Sequence, residues 1–149
     1  IVPLGEAEGI RFNFDGMEVS ANTLDAHRLI RWAASEKAPA GAQALVVRRL
    51  FEINFEEAGD VGDRAVLTEV AGEAGMDVGL IDALLVSNAD VEAVQSEIET
   101  AARMGIRGVP CFLLEGKYAV MGAQETDTLA DALRQVAGAK ARGELDRDE

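Results

Sequence analysis

Two hydrophobic periods run along this chain, and the change from one to the other falls near residue 105. Ile10, Phe12 and Phe14 alternate with Arg11 and Asn13 ahead of Asp15-Gly16, which predicts a short strand closed by a turn. The period then becomes helical. Asn22 and Thr23 offer caps to a helix carrying Ala26, Leu29, Ile30 and Ala33, with its end expected near Pro39. A second helix carries Val47, Leu50, Phe51 and Phe55 and stops around Gly59. The third starts near Asp63, shows Leu67, Val70, Ala71 and Ala74, and meets Gly75 where a helix C-terminus favours glycine. A fourth runs from Asp77 through Ile81, Leu84 and Leu85 to Ser87. The fifth follows Asn88 or Asp90, shows Val91, Val94, Ile98 and Ala101, and ends at Gly105. No strand is expected between residues 22 and 104.

Beyond Gly105 the period shortens. Phe112-Leu113-Leu114, the turn pair Glu115-Gly116 and Lys117 to Met121 predict a hairpin. A last helix, capped by Thr126 or Asp127, turns Leu129, Leu133, Val136 and Ala137 inward, and a charged tail from Ala141 is expected to fray. The chain then divides into a lead-in with a short strand over 1–19, a helical domain over 20–104, a hairpin and helix over 105–138, and a tail over 139–149. A two-stranded hairpin is marginal alone, so its sheet needs further cover.

Composition narrows the function classes. Fourteen basic against 27 acidic residues give a net charge of −13, which provides no basic stripe for nucleic acid and disfavours an anionic membrane face. The start at Ile1 suggests a processed, trimmed or partial chain. One cysteine, Cys111, excludes a Cys-x-x-Cys pair within these residues, and one histidine, His27, makes a structural zinc site improbable.

Candidate chemistry concentrates in Gly105-Ile106-Arg107-Gly108-Val109-Pro110-Cys111-Phe112. A proline there, after a glycine pair and before a strand, permits either isomer of its peptide bond. Cys111, beside Phe112 and Leu113, reads as a buried, unreactive thiol. His27 reads as a structural or packing histidine, because no nucleophile is evident for it to activate. Trp32 reads as packing between helices. Asn22 is most simply a cap, and Arg48-Arg49 a solvated pair.

Several segments, in order, resemble one family. Gly-Val-Pro before a strand, then a hairpin, Gly-Ala-Gln and a closing helix are similar to the C-terminal half of the thioredoxin-like DsbA family. Asn22-Thr23-Leu24-Asp25-Ala26-His27-Arg28-Leu29-Ile30-Arg31-Trp32-Ala33 resembles a segment of its FrnE-like, polyketide-biosynthesis-associated branch, and Phe55-Glu56-Glu57 and Val66-Leu67 with Val70-Ala71 continue in the same order. The resemblance covers about residues 8 to 138. It implies an α/β, thioredoxin-like fold with a large inserted helical domain, mostly helical in this chain. It also implies a cis peptide at Pro110, and substrate-binding roles for Val109 and Pro110. His27, Trp32, Gln124 and Cys111 become residues that would line the site.

The family's dithiol has no match here, so no catalytic residue is expected within the chain, and the dithiol is expected upstream. The function implied is thiol–disulfide exchange on protein or peptide substrates, without cofactor, metal, nucleic acid or membrane, in the cytoplasm. A homodimer is allowed. The chain alone is expected to be inactive. Two alternatives stay open. One is a glutathione-dependent isomerase or transferase of the 2-hydroxychromene-2-carboxylate isomerase or kappa type. The other is a non-enzymatic, truncated binding domain.

Overall fold

A computed structural model describes residues 1–145, and they form two compact units, Ile1–Glu97 and Ile98 onward. The elements are helix α1 (Val2–Ala7), a 3-10 turn (Phe14–Gly16), α2 (Leu24–Ala33), α3 (Ala42–Phe55), α4 (Arg64–Glu73), α5 (Val78–Val86), α6 (Val91–Arg103), strands β1 (Cys111–Leu114) and β2 (Tyr118–Met121), and α7 (Thr126–Ala141). Five helices therefore fill the stretch from Leu24 to Arg103, with no strand among them. Among the described residues no helix is long and apolar enough to cross a membrane.

The first unit is organised by caps and by one shared core. Asp63 accepts hydrogen bonds from the N–H groups of Ala65 and Val66 at 2.7 and 3.1 Å, and Asp77 accepts from Leu80 at 3.0 Å. Both carboxylates satisfy N–H groups that a helix start leaves unpaired. Leu29, Val46, Leu67 and Val70, almost wholly buried, knit α2, α3 and α4 together, and Ile81 and Leu85 add α5. In the second unit β1 and β2 form an antiparallel two-stranded sheet, with Cys111 opposite Met121 and Leu114 opposite Tyr118. Helix α7 packs on β2, and Lys140 pairs with Glu115 at 2.8 Å.

One polar side chain lies inside the helical unit. Arg28 is only 2% exposed, and its five donors all have acceptors. Nε donates to the Ala89 carbonyl at 2.7 Å, and Nη2 donates to Leu84 and Ser87 at 2.7 and 2.9 Å. Nη1 donates to Asp25 at 2.7 Å and, at the long distance of 3.5 Å, to Leu85. The guanidinium also sits 4.9 Å over the Trp32 ring. A cation thus occupies the C-terminal end of α5, where carbonyls lack intrahelical donors and the helix dipole is negative. Beside it, Trp32 donates its indole N–H to Asp90 at 2.8 Å, and Arg31 approaches the same carboxylate at 3.4 Å.

Five expectations need correction. Residues Ile10 to Phe14 form no strand. The Phe12 and Phe14 rings stack on each other at 5.0 Å and meet Phe55 edge-on, while the Asn13 N–H donates to the Phe55 carbonyl at 2.8 Å. The apolar side of the alternation is met by a helix end, so no ladder is needed. Helix α2 stops at Ala33, well short of Pro39, because a run of turns from Ala34 precedes the proline. Helix α3 buries Ala42, Val46, Leu50 and Ile53, leaving Phe51 exposed. Helix α7 is preceded by Glu125 as its cap residue and leaves Leu133 and Ala137 exposed. The tail expected to fray is ordered through Leu145, which is buried and whose carbonyl accepts from Lys117; residues 146–149 lie outside the described residues.

Replacing Arg28 by Met should destabilise the chain by about 3–5 kcal/mol, because the Leu85, Ser87 and Ala89 carbonyls lose their donor and Asp25 its charged partner at once. Arg28→Lys should recover only part, since an ammonium lacks the planar fork. Urea unfolding measures both, and a loss below about 1 kcal/mol for Arg28→Met would contradict the role assigned to it. Asp90 supplies a pH test. The Trp32 indole and then Arg31 hold its carboxyl below the usual carboxylate range. Its charged form therefore stabilises the fold above the unfolded value of about 3.9, and that contribution disappears as pH falls through the lower folded value. Asp90→Asn should be less stable than the natural chain at pH 7 and converge with it in acid. Parallel stability–pH curves for the two proteins would be the contrary result.

Candidate functional site

Gly105 ends α6 at φ +80°, and the Ile106 N–H closes the helix on the Ala101 carbonyl at 3.0 Å. An exposed loop then leads to Val109, which is 91% exposed, and to a cis peptide between Val109 and Pro110. The Gly122 N–H donates to the Pro110 carbonyl at 2.8 Å, so the loop's last residue is already tied to the end of β2. Gly122 needs its left-handed φ of +77° to turn the chain there. Gln124 donates Nε2 to the Met121 carbonyl at 2.8 Å, which anchors the segment between β2 and α7.

This pairing decides which backbone groups are free. In an antiparallel ladder, hydrogen-bonded and non-bonded residue pairs alternate. Pro110 and Gly122 bond, so Phe112–Val120 and Leu114–Tyr118 fall at bonded positions, and Cys111–Met121 and Leu113–Ala119 at non-bonded ones. The N–H and C=O groups of Cys111 and Leu113 therefore point to the far edge of β1, which no strand covers among the described residues. Pro110, which has no N–H to give, sits where its carbonyl alone is used. The three residues Glu115 to Lys117 close the other end, with Glu115 and Gly116 at φ +51° and +67° and the Lys117 N–H donating to Leu114 at 3.1 Å.

Val109, Pro110, Cys111 and Gln124 are thus gathered at one end of the hairpin. Cys111 is a free, half-buried thiol rather than a fully buried one. With no second cysteine in the sequence, it has no partner for a disulfide within the chain. His27 and Trp32 belong to the first unit. His27 is exposed on α2, not packed, and Trp32 is a core residue committed to Asp90 and Arg28. Among the described residues no group of three or more His, Cys, Asp or Glu side chains is placed to hold a metal. Arg48 is solvated as expected, but Arg49 is partly buried and pairs with Glu57 and Glu73. The Glu57 carboxylate, then its charge and that of Glu73, raise the Arg49 pKa against the opposing effect of burial.

A second feature escaped the sequence pattern. Ile1, Ile10, Phe12, Phe14, Val47, Phe51 and Phe55 line an apolar cleft of about 900 Å³ in the first unit. Phe12 reaches it by packing against Gly5, where an added Cβ would come within 2.4 Å of the ring. The alternation of Ile10, Phe12 and Phe14 was the available signal, but it indicates a strand equally well.

What the arrangement offers chemically is an exposed edge of backbone donors and acceptors, a protruding apolar side chain and a single thiol. The family model for the DSBA-like thioredoxin domain matches residues 1–134. No curated protein matches the chain. A crystal structure of a probable DsbA oxidoreductase from Streptomyces coelicolor is similar, with a TM-score of 0.78 and 29% identity over 92% of this chain. The chain spans 57% of that protein's length. The fold is accordingly thioredoxin-like with a helical insertion, and the chain belongs to the DSBA-like thioredoxin domain family.

Proposed function

We propose that this chain is the substrate-holding part of a thiol–disulfide oxidoreductase whose redox dithiol is supplied by residues outside these 149. The observation that carries the reading is the free edge at Val109, Cys111 and Leu113, which suits an extended peptide adding as a strand. In the reaction, a thiolate of the dithiol attacks one sulfur of the substrate disulfide, forming a mixed disulfide and releasing the other sulfur as a thiolate. The second thiol of the dithiol then displaces the substrate sulfur. The substrate gains two electrons, and the dithiol becomes a disulfide. Cys111, lacking a partner, takes neither role.

The segment from Asn22 to Ala33 supports a place in the FrnE-like branch. Its contribution is architectural, since Arg28 and Trp32 are spent on holding the helices together.

In the natural protein containing these residues, Val109→Asp should raise KM for a disulfide-bonded peptide by roughly 10-fold, about 1.4 kcal/mol of lost binding. Turnover of a small aromatic disulfide, which needs no strand pairing, should stay the same. The 149-residue chain alone should turn over neither. Peptide turnover by that chain, abolished by Cys111→Ser, would overturn the proposal.

A further inference from the structure

The aromatic cleft of the first unit has no part in the site described above. It gathers Phe12, Phe14, Phe51 and Phe55, four of the chain's five phenylalanines. Phe51 stacks on Phe55 at 5.9 Å and is nevertheless 60% exposed. Contiguous aromatic surface of this kind is seldom left bare on a soluble protein and marks a contact. The charged side chains at its edge are already engaged, and Gln43 is the one uncharged polar side chain there. Arg48 pairs with Glu52 at 3.6 Å, and Glu56 accepts the Arg11 N–H at 3.3 Å. A small-molecule site usually aims a few free polar groups at its ligand, whereas this cleft presents ring faces and paired charges. Such a surface suits the apolar face of a folded polypeptide.

The amount of chain available argues for which polypeptide. The solved relative superposes on 92% of this chain, yet the match takes in only 57% of that protein. We infer that the cleft seats the dithiol-bearing part of the same natural protein, through an apolar face that covers Phe51 and Phe14. This inference rests on the function proposed above, because it takes the dithiol to lie outside these residues. Seating that part on four packed rings would fix it to a rigid helical body, which thiol exchange needs for alignment.

The experiment compares the 149-residue chain with the natural gene product that contains it, using the dye 1-anilinonaphthalene-8-sulfonate as probe. The chain should enhance the dye's fluorescence, and Phe51→Ser should remove most of that signal without shifting Tm, since Phe51 is already exposed. In the gene product the enhancement should be absent, and Phe51→Ser should lower Tm by several degrees. Leu133→Ser, at another exposed apolar position, serves as control and should move neither dye signal nor Tm. A gene product that binds the dye with the same dependence on Phe51 leaves the cleft open and overturns the inference. So does a 149-residue chain that sediments as a dimer dissociated by Phe51→Ser, which would put a second copy in the cleft. Thiol titration of the gene product separates the two ideas. A protein without a dithiol overturns the proposed function and this inference with it, whereas a dithiol beside an open cleft overturns this inference alone.

Discussion

A guanidinium taken almost wholly out of water is tolerable only if every donor is met, and the helical unit depends on meeting that condition at Arg28. Its acceptors come from Leu84, Leu85, Ser87 and Ala89, so one side chain on α2 holds the end of α5 and the turn that leads into α6. The Leu84 carbonyl also accepts from Ser87, but those of Leu85, Ser87 and Ala89 have Arg28 as their donor, and the charge it brings is what the local dipole favours. Asp25 offsets the charge, and Trp32 covers its face while reaching Asp90. Asp90 itself adopts φ +59°, a left-handed conformation that acidic and amide side chains tolerate better than most. Polar satisfaction and apolar packing therefore converge on the same turn of α2.

The parts of the fold legible in the sequence were those written in local chemistry. Asp63 and Asp77 announced helix starts because a short carboxylate can reach the free N–H groups behind it, and Gly75 marked an end because φ +74° is costly for other residues. Phase was harder to read. On α3, Val46, Leu50 and Ile53 form the buried stripe, while Val47, Phe51 and Phe55 form a second apolar stripe beside it. Periodicity alone cannot say which of two adjacent stripes meets the core. The same ambiguity affected Ile10 to Phe14, where an alternating pattern found a helix end instead of a neighbouring strand.

Arg28 shows a different limit. A hydropathy pattern counts arginine as outward-facing, and its neighbour His27 drew attention as the chain's single titratable imidazole. The positions are reversed in the fold, with the histidine in solvent and the arginine inside. Nothing in the spacing distinguishes them, because the carbonyl acceptors that bury Arg28 lie 56 to 61 residues away. The hairpin was legible, by contrast, since its turn residues and strand residues are contiguous. Which edge of β1 is free was not, because that follows from the single bond between Gly122 and Pro110.

The two units differ in how firmly they are packed, and the difference bears on where chemistry can sit. The helical unit has a shared core from α2 to α5. Among the described residues from Ile98 onward, only Leu145 is fully buried, and α7 buries none of its side chains completely. A four-residue hairpin with a single helix against it has little apolar area to hold it, so its strands should open at lower free energy than the helical core. What steadies the loop is therefore polar and local: Gly122 on Pro110, Gln124 on Met121 and Lys140 on Glu115. Each of these bonds engages the β2 side or the turn and leaves the Cys111 and Leu113 backbone groups untouched. A segment that pairs with that edge would satisfy them and extend the sheet from two strands to three. Binding and ordering of this unit would then be one event, with the gain from the new ladder offset by the cost of fixing the hairpin.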